Sequence, residues 1–273
     1  MNREDYSKLV MAHYAKVAAE DGDSILSTMK DAYIRQKETE AIVGAINYVV
    51  QKIGRELNVA DVGCGNGTTL SVLSEMLPQN DYVGIEKNDG LRNIAEDRFR
   101  YAKRVNIYQG DILENMIQQY GRYDIVISQR VIINILNRED QRQAIANVSD
   151  LVKPEGYLIL IECMEQSWAN LNSARNEFDL PPIEPSFHNL YLKEELLPQD
   201  DDGFSRCNDE GIASENFLSS HYYVTRVLHD VMLQGRPYSR NSHFVSFMSQ
   251  AVPEGIGDYS PIKMYMFQKK AKK

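Results

Sequence analysis

Between residues 57 and 163, short apolar runs rich in Val, Ile and Tyr alternate with segments of helical spacing, and this alternation constrains the fold most. The runs are 57–62, 82–86, 105–108, 123–128 and 157–163. Each is nearly continuous in apolar character, which is how a parallel strand buried on both faces reads. Between them Leu70, Leu73 and Leu77, or Ile94 followed by Arg98, recur at helical intervals. Repeated strand–helix units of this kind predict an α/β fold, a doubly wound and mostly parallel sheet with right-handed crossovers. A late run at 262–267 adds a strand near the end of the chain, and 215–220 is expected to pair with it as an antiparallel edge, which makes seven strands.

Two regions fall outside this core. Residues 1–52 read as a cap of two helices joined near 21–27, with Thr28 and Asp31 spaced as a capping box. Residues 165–198 form a lid after the fifth strand: 168–178 is helical, and a loop with Pro181, Pro182 and Pro185 follows. Loops of that length commonly serve a site. The expected division is a helical cap, 1–52, and a main domain, 53–273, which together fit one hydrophobic core.

Composition narrows the partners. A net charge of −9 argues against a phosphate backbone or an anionic membrane as partner, since cation contacts supply much of the affinity for either. The basic cluster Lys269, Lys270, Lys272 and Lys273 reads as a solvated, frayed terminus. No apolar run reaches the roughly 20 residues that span a bilayer, and the start of the chain lacks the apolar stretch of a signal peptide. Three widely spaced cysteines, Cys64, Cys163 and Cys207, fit a reducing compartment better than a disulfide framework. A cytoplasmic protein with a small-molecule partner is the expectation.

The most informative segment is Asp61-Val62-Gly63-Cys64-Gly65-Asn66-Gly67-Thr68, where a buried strand enters a glycine turn and then a helix. Such a turn lets backbone approach a ligand closely, and the helix start offers unpaired N–H groups. The dinucleotide pattern G-x-G-x-x-G fails here because its third glycine falls on Thr68. Glu86 ends the second strand about twenty residues past the turn, where a carboxylate accepts ribose hydroxyls. The third strand runs into Asp111 and Ile112, placed to meet an adenine amino group. The fourth ends near the crevice where strand order reverses.

With these residues the chain resembles class I S-adenosylmethionine-dependent methyltransferases, which are Rossmann-like and seven-stranded. Asp61 through Gly67 match the acidic residue and G-x-G-x-G of that family, Glu86 its ribose acid and Asp111 its adenine-side acid. The turn from Leu151 to Gly156 before the fifth strand is also similar. Shorter blocks, 31–35, 129–134, 187–191 and 219–223, resemble methyltransferases of bacterial polysaccharide and antibiotic pathways. In such enzymes N-terminal helices close over the cofactor, which implies that Tyr14 and Arg35 reach its methionine end. The cofactor set the resemblance implies is therefore Tyr14, Arg35, Asp61, Gly63, Cys64, Gly65, Asn66, Gly67, Glu86, Lys87, Asp111, Ile112 and Gln129. The cofactor is S-adenosyl-L-methionine, released as S-adenosyl-L-homocysteine.

On the acceptor side, a hydroxyl must lose its proton to a positioned base. His188, at the end of the proline-rich loop, and His221, at the start of a late helical run, are the candidates. Arg130 and Asn134 follow the fourth strand and, with Tyr222, Tyr223 and Arg226, form the candidate substrate set. Base-methylating relatives carry Asn or Asp followed by two prolines after the fourth strand, and metal-dependent ones an Asp. Here the chain reads Ser128-Gln129-Arg130-Val131, which argues against both. The expected activity is methyl transfer to an oxygen of a small molecule, a sugar or bacterial secondary metabolite. Methylation of a carboxylate or phosphate oxygen, with Arg130 and Arg226 as clamps, and non-catalytic cofactor binding are the alternatives; a nicotinamide oxidoreductase stands third.

Overall fold

A computed structural model describes residues 3–24, 26–27, 29–237 and 241–271. The strands are β1 (Asn58–Val62), β2 (Asp81–Glu86), β3 (Val105–Gln109), β4 (Tyr123–Gln129), β5 (Val152–Cys163), β6 (Phe204–Arg206) and β7 (Ile262–Lys269). They form one seven-stranded sheet in the order β3-β2-β1-β4-β5-β7-β6. The first five are parallel, while β7 runs antiparallel to both β5 and β6. Val126, Ile127, Leu158 and Ile159 are all fully buried. Successive residues point to opposite faces, so both faces of the central strands are covered, each such side chain contributing roughly 1.5–3 kcal/mol.

The helices are α1 (Arg3–Asp21), α2 (Ala32–Ile53), α3 (Thr68–Met76), α4 (Asp89–Phe99), α5 (Ile117–Tyr120), α6 (Arg138–Asp150), α7 (Glu165–Asn176), α8 (Ser219–Tyr223), α9 (His229–Leu233) and α10 (His243–Ala251). A π-helical turn, Val224–Leu228, joins α8 to α9. Both cap helices form. α2 buries Ile34, Ile42, Ile46 and Val49 on one stripe against the core, whereas Tyr6 is the buried residue of α1. Its hydroxyl donates to Asp140 on α6 at 2.7 Å, and Arg3 pairs with the same carboxylate. At its other end α1 lies hard against α4, where a Cβ on Gly22 would meet Ile94 and one on Gly90 would meet Ala18. No described helix is long and apolar enough to cross a membrane.

Several expectations need correction. The edge strand is Phe204–Arg206, not 215–220. That segment winds through turns closed by Phe217 N–H to Ser214 O and Ser219 N–H to Asn216 O, then enters α8. A three-residue edge strand is too short for alternation to show. The fifth strand begins at Val152, and the residues around Glu155 (φ 65°) bulge between its two paired portions. Asp31 is itself the N-cap of α2, accepting from Ile34 N–H, and Thr28 lies outside the described residues. The basic tail is not all frayed: Lys269 Nζ donates to the carbonyls of Ser149 and Val152, and Lys270 pairs with Asp200. Lys272 and Lys273 lie outside the described residues.

Candidate active site

At the switch point between β1 and β4, the strand ends open into a cavity roofed by α1. The glycine turn forms its floor, and the three glycines do different work there. A Cβ on Gly63 would strike Val131, and one on Gly67 would strike Phe99, so these two allow close packing. Gly65 has φ +59°, and a Cβ there would meet nothing within 4 Å, so its open side faces the cavity. α3 begins on this turn without a side-chain cap from Gly67. Asn66 instead accepts from Thr68 N–H at 3.2 Å.

Glu86, at the end of β2, accepts from Gly65 N–H at 2.9 Å and from Asn88 N–H at 2.7 Å. Burial pushes its pKa up against those two hydrogen bonds. Each carboxylate oxygen keeps a further lone pair for a ligand. Asp111, beyond β3, is paired with Lys87 at 2.7 Å and accepts from Leu113 N–H, and Ile112 lines the wall beside it. Asp61 ends the buried floor of β1 with no hydrogen-bond donor among the described residues. Burial first, then the neighbouring Glu86 carboxylate, raise its pKa to about 7, opposed by Arg35. The thiol of Cys64 is pushed well up by burial and nearby carboxylates, which makes it a wall and not a nucleophile.

The opposite end lies below the cap. Tyr14 on α1 donates to Asn134 Oδ1 at 3.2 Å, and Asn134 Nδ2 donates to Arg130 O at 2.8 Å. Arg35 on α2 lines the cavity, its pKa lowered to about 10 by burial and by Arg130. Gln129 ends β4, and Arg130, the next residue, adopts φ 55°. Burial works against the Arg130 charge, but the Glu38 carboxylate beside it keeps its pKa raised.

The structure thus brings Tyr14, Arg35, Asp61, Gly63, Cys64, Gly65, Asn66, Glu86, Lys87, Asp111, Ile112, Gln129, Arg130 and Asn134 around one cavity. Asn66 also turns outward: its Nδ2 donates to Gly22 O at 2.7 Å, Ser24 O at 3.1 Å and Ser27 Oγ at 3.3 Å, fastening the link between α1 and α2. Gly67 faces α4 instead of the cavity.

The late acceptor candidates are placed differently. His221 and Arg226 are buried away from the cavity lining, both turned to Asp31: His221 Nε2 lies 3.2 Å from Asp31 Oδ2 and Nδ1 2.7 Å from Ser249 Oγ, while Arg226 pairs at 3.0 Å. Despite burial, the hydrogen bond from His221 and the charge of Arg226 hold Asp31 at a pKa of about 2. A buried carboxylate at the start of α2 demanded partners, and these two side chains supply them. Tyr223 packs on Tyr259 beneath α7, whereas Tyr222 lies under the Arg226 guanidinium, near the Arg130 charge. His188 stands beside the roof, its ring stacked on His13 at 4.0 Å and 6.2 Å from the Tyr14 ring. Burial and His13 lower its pKa to about 4.

Sequence reasoning missed Glu38 and Glu162, both fully buried beside Arg130. Glu162 accepts from Val131, Ile132 and Ile133 N–H at 2.9–3.2 Å, and burial takes its pKa to about 7. The signal was present. Glu38 interrupts the apolar stripe of α2 between Ile34 and Ile42, and Glu162 breaks an otherwise apolar strand.

Residues 59–156 match the family model described as a methyltransferase domain. The plantazolicin methyltransferase BpumL, solved with SAH, shares the fold with TM-score 0.54 at 14% identity, covering 98% of each chain. The magnesium protoporphyrin IX methyltransferase ChlM from Synechocystis PCC 6803, also with SAH, aligns with TM-score 0.51 at 16% identity over 87% of this chain and 85% of that one. A tRNA (guanine-N(7)-)-methyltransferase of Podospora anserina is 31% identical over 90 residues, 29% of this chain and 31% of that protein. A hybrid PKS-NRPS synthetase of Talaromyces variabilis is 27% identical over 124 residues, 43% of this chain and 3% of that protein. The chain thus spans less than a third of the length of the curated relatives it matches. Residues 59–156 thus match a methyltransferase domain, and the seven-stranded fold is the one that BpumL and ChlM share.

Proposed function

We propose that the chain transfers a methyl group to an oxygen of a small molecule, a sugar or a bacterial secondary metabolite. The roof carries this reading. Tyr6, Ser7, Val10, Met11 and Tyr14 of α1 line the cavity, and α1 is tied down through Asp140, Asn134 and Asn66. A macromolecular acceptor has to displace that helix, whereas a small one fits beneath it.

The residues fit the cofactor. Asp61, a buried carboxylate with no hydrogen-bond donor among the described residues, suits the ammonium of the methionine end and Arg35 its carboxylate, while Glu86 holds the ribose and Asp111 with Ile112 the adenine. When bound, S-adenosylmethionine supplies an electrophilic methyl on a sulfonium, so alignment of donor and acceptor does much of the work. Tyr14, Arg130 and Asn134 shape the end where an acceptor lies. For a hydroxyl acceptor, His188 is the candidate base beside Tyr14; His221, committed to Asp31 and Ser249, takes no part.

A second reading is an acceptor that arrives ionised, as carboxylate or phosphate. One observation favours it: none of the five histidines lines the cavity, whereas Arg35 and Arg130 do.

The test starts with calorimetry against S-adenosylmethionine, S-adenosylhomocysteine and NAD. Methyl-labelled cofactor is then offered with small hydroxylated acceptors and small carboxylic acids, and the products are treated with mild base. A base-stable ether supports the first reading and a base-labile ester the second. Tighter binding of NAD, or label passing only to tRNA or protein, would sink both.

A further inference from the structure

Three successive backbone N–H groups at the acceptor end converge on one side chain. Val131 and Ile132 donate to Glu162 Oε1 at 3.0 and 2.9 Å, and Ile133 donates to Oε2 at 3.2 Å. These groups open the 3₁₀ turn Ile132–Asn134, and the first N–H groups of a helical turn have no partner within it. Val131, Ile132 and Ile133 carry no polar side chain, and Val131 makes no side-chain cap bond. The cap comes instead from the neighbouring strand. Glu162 follows Ile161, which pairs with Gln129 across β4 and β5, so it stands level with Arg130 and is fully buried.

What hangs from this turn is the acceptor end. Arg130, Val131, Asn134 and Ile135 line the cavity. Asn134 takes the Tyr14 hydroxyl and so ties down the roof. Ile133 O accepts Leu190 N–H at 2.7 Å, and Gln141 Nε2 bridges Ile132 O and Leu190 O at 3.3 and 2.7 Å. Leu190 is two residues past His188, so the loop with the candidate base is moored to the same turn. Four candidate partners of the cofactor hang elsewhere: Asp61 on β1, Glu86 on β2, Asp111 past β3 and Arg35 on α2.

On the reading of this site as a methyltransferase pocket with a small acceptor, we propose that Glu162 is a positioning residue for that acceptor. It fixes the turn at 130–135 from behind the cavity wall, and through the turn the roof at Tyr14 and the loop at His188. It does not line the cavity itself, so it acts only through what the turn carries. Transfer from a sulfonium depends on alignment, and a displacement of about 1 Å set up far from the chemistry can cost on the order of 100-fold in rate. Arg130, Tyr14 and Cys163 also face this carboxylate, so its charge and its reach have to be varied separately.

Glu162→Asp keeps the charge and withdraws it by one methylene, whereas Glu162→Gln keeps the reach and removes the charge. Amide hydrogen exchange of the ligand-free proteins should quicken at Val131, Ile132, Ile133 and Leu190 in both variants. It should hold at Gly65 and Asn88, whose N–H groups Glu86 accepts on another side of the cavity. Calorimetry should find the affinity for S-adenosylhomocysteine unchanged. With methyl-labelled S-adenosylmethionine and the same small hydroxylated acceptors and carboxylic acids, kcat should fall on the order of 100-fold while KM for the cofactor holds. Exchange that quickens equally at Gly65 and Asn88, equal loss of affinity and turnover, or full turnover in a folded variant would each overturn the proposal. If one variant fails to fold, the other decides; failure of both makes Glu162 a structural residue and overturns it too. Wild-type protein that binds neither nucleoside, or binds them and methylates none of these acceptors, would refute the reading of the pocket. Exchange at Val131, Ile132, Ile133 and Leu190 would then still decide whether Glu162 sets the turn.

Discussion

Asp61→Asn should make the ligand-free protein more stable at neutral pH while weakening cofactor binding. In the folded chain the Asp61 carboxyl holds its proton up to about pH 7, because burial and the Glu86 carboxylate oppose ionisation. Unfolded, it releases the proton near pH 4. Between those values the folded state binds the extra proton, so stability falls as pH rises and levels off above about 7. At about 1.4 kcal/mol per pH unit, that span amounts to at most ~4 kcal/mol. Asparagine has no charge to desolvate, so the variant should match wild type near pH 4 and exceed it by up to ~4 kcal/mol at pH 8. Urea unfolding of the ligand-free proteins at pH 4.5 and 8 measures this directly. Denaturation curves that differ by the same amount at both pH values would refute the reasoning. A binding partner adds a second check. If Asp61 faces the cofactor's ammonium, ligation lowers its pKa, and titrations near pH 6.5 in buffers of different ionisation enthalpy should show proton release by wild type and none by Asp61→Asn.

Gly65→Val should fold yet lose the cofactor, because its Cβ enters the open cavity and meets no protein atom, at a backbone cost of roughly 1–3 kcal/mol for φ +59°; a folded variant with unchanged affinity would place the cofactor elsewhere. Asn66→Ala removes three hydrogen bonds to the link between α1 and α2, so hydrogen exchange across α1 and cofactor dissociation should both quicken, and exchange confined to its present rate would contradict the fastening role. If the acceptor is a hydroxyl, His188→Ala should lose on the order of 10²–10⁴ in rate with cofactor affinity intact. The wild-type rate should then stay level from pH 6 to 8 and fall only toward about pH 4, since burial and His13 keep His188 neutral above that; full activity in His188→Ala removes it as the base.

The cap and the site are physically one unit. Three separate contacts join them: Tyr14 to Asn134, Glu38 to Arg130 and Gln129, and Asn66 to the backbone of the α1–α2 link. α2 is anchored deep, by its apolar stripe and by the knot of Asp31 with His221 and Arg226. α1 buries little besides Tyr6. A ligand too large to pass the roof must therefore enter by displacing α1, with α2 as the fixed wall.

How much of this could be read from the sequence follows from where each signal resides. Asp61, the glycine turn, Glu86 and Asp111 sit at the ends of successive strands, so local pattern and strand order together fix their positions. The parallel core strands were legible for the same reason, since burial on both faces leaves a continuous apolar run. The acceptor end is different in kind. Its walls come from α1, α2 and the end of β4, with the loop at His188 packed beside α1, segments far apart in sequence whose meeting no local spacing encodes. His221 and Arg226 were expected there because they belong to the same late helical run as Tyr222, yet the partner that claims them, Asp31, lies some 190 residues earlier. Glu38 and Glu162 carried a readable mark, a carboxylate within an apolar stripe. Such a residue is stable only with partners, and a buried carboxylate without an evident one points to a cation brought by another segment. In this chain that cation is Arg130, and it stands at the cavity wall.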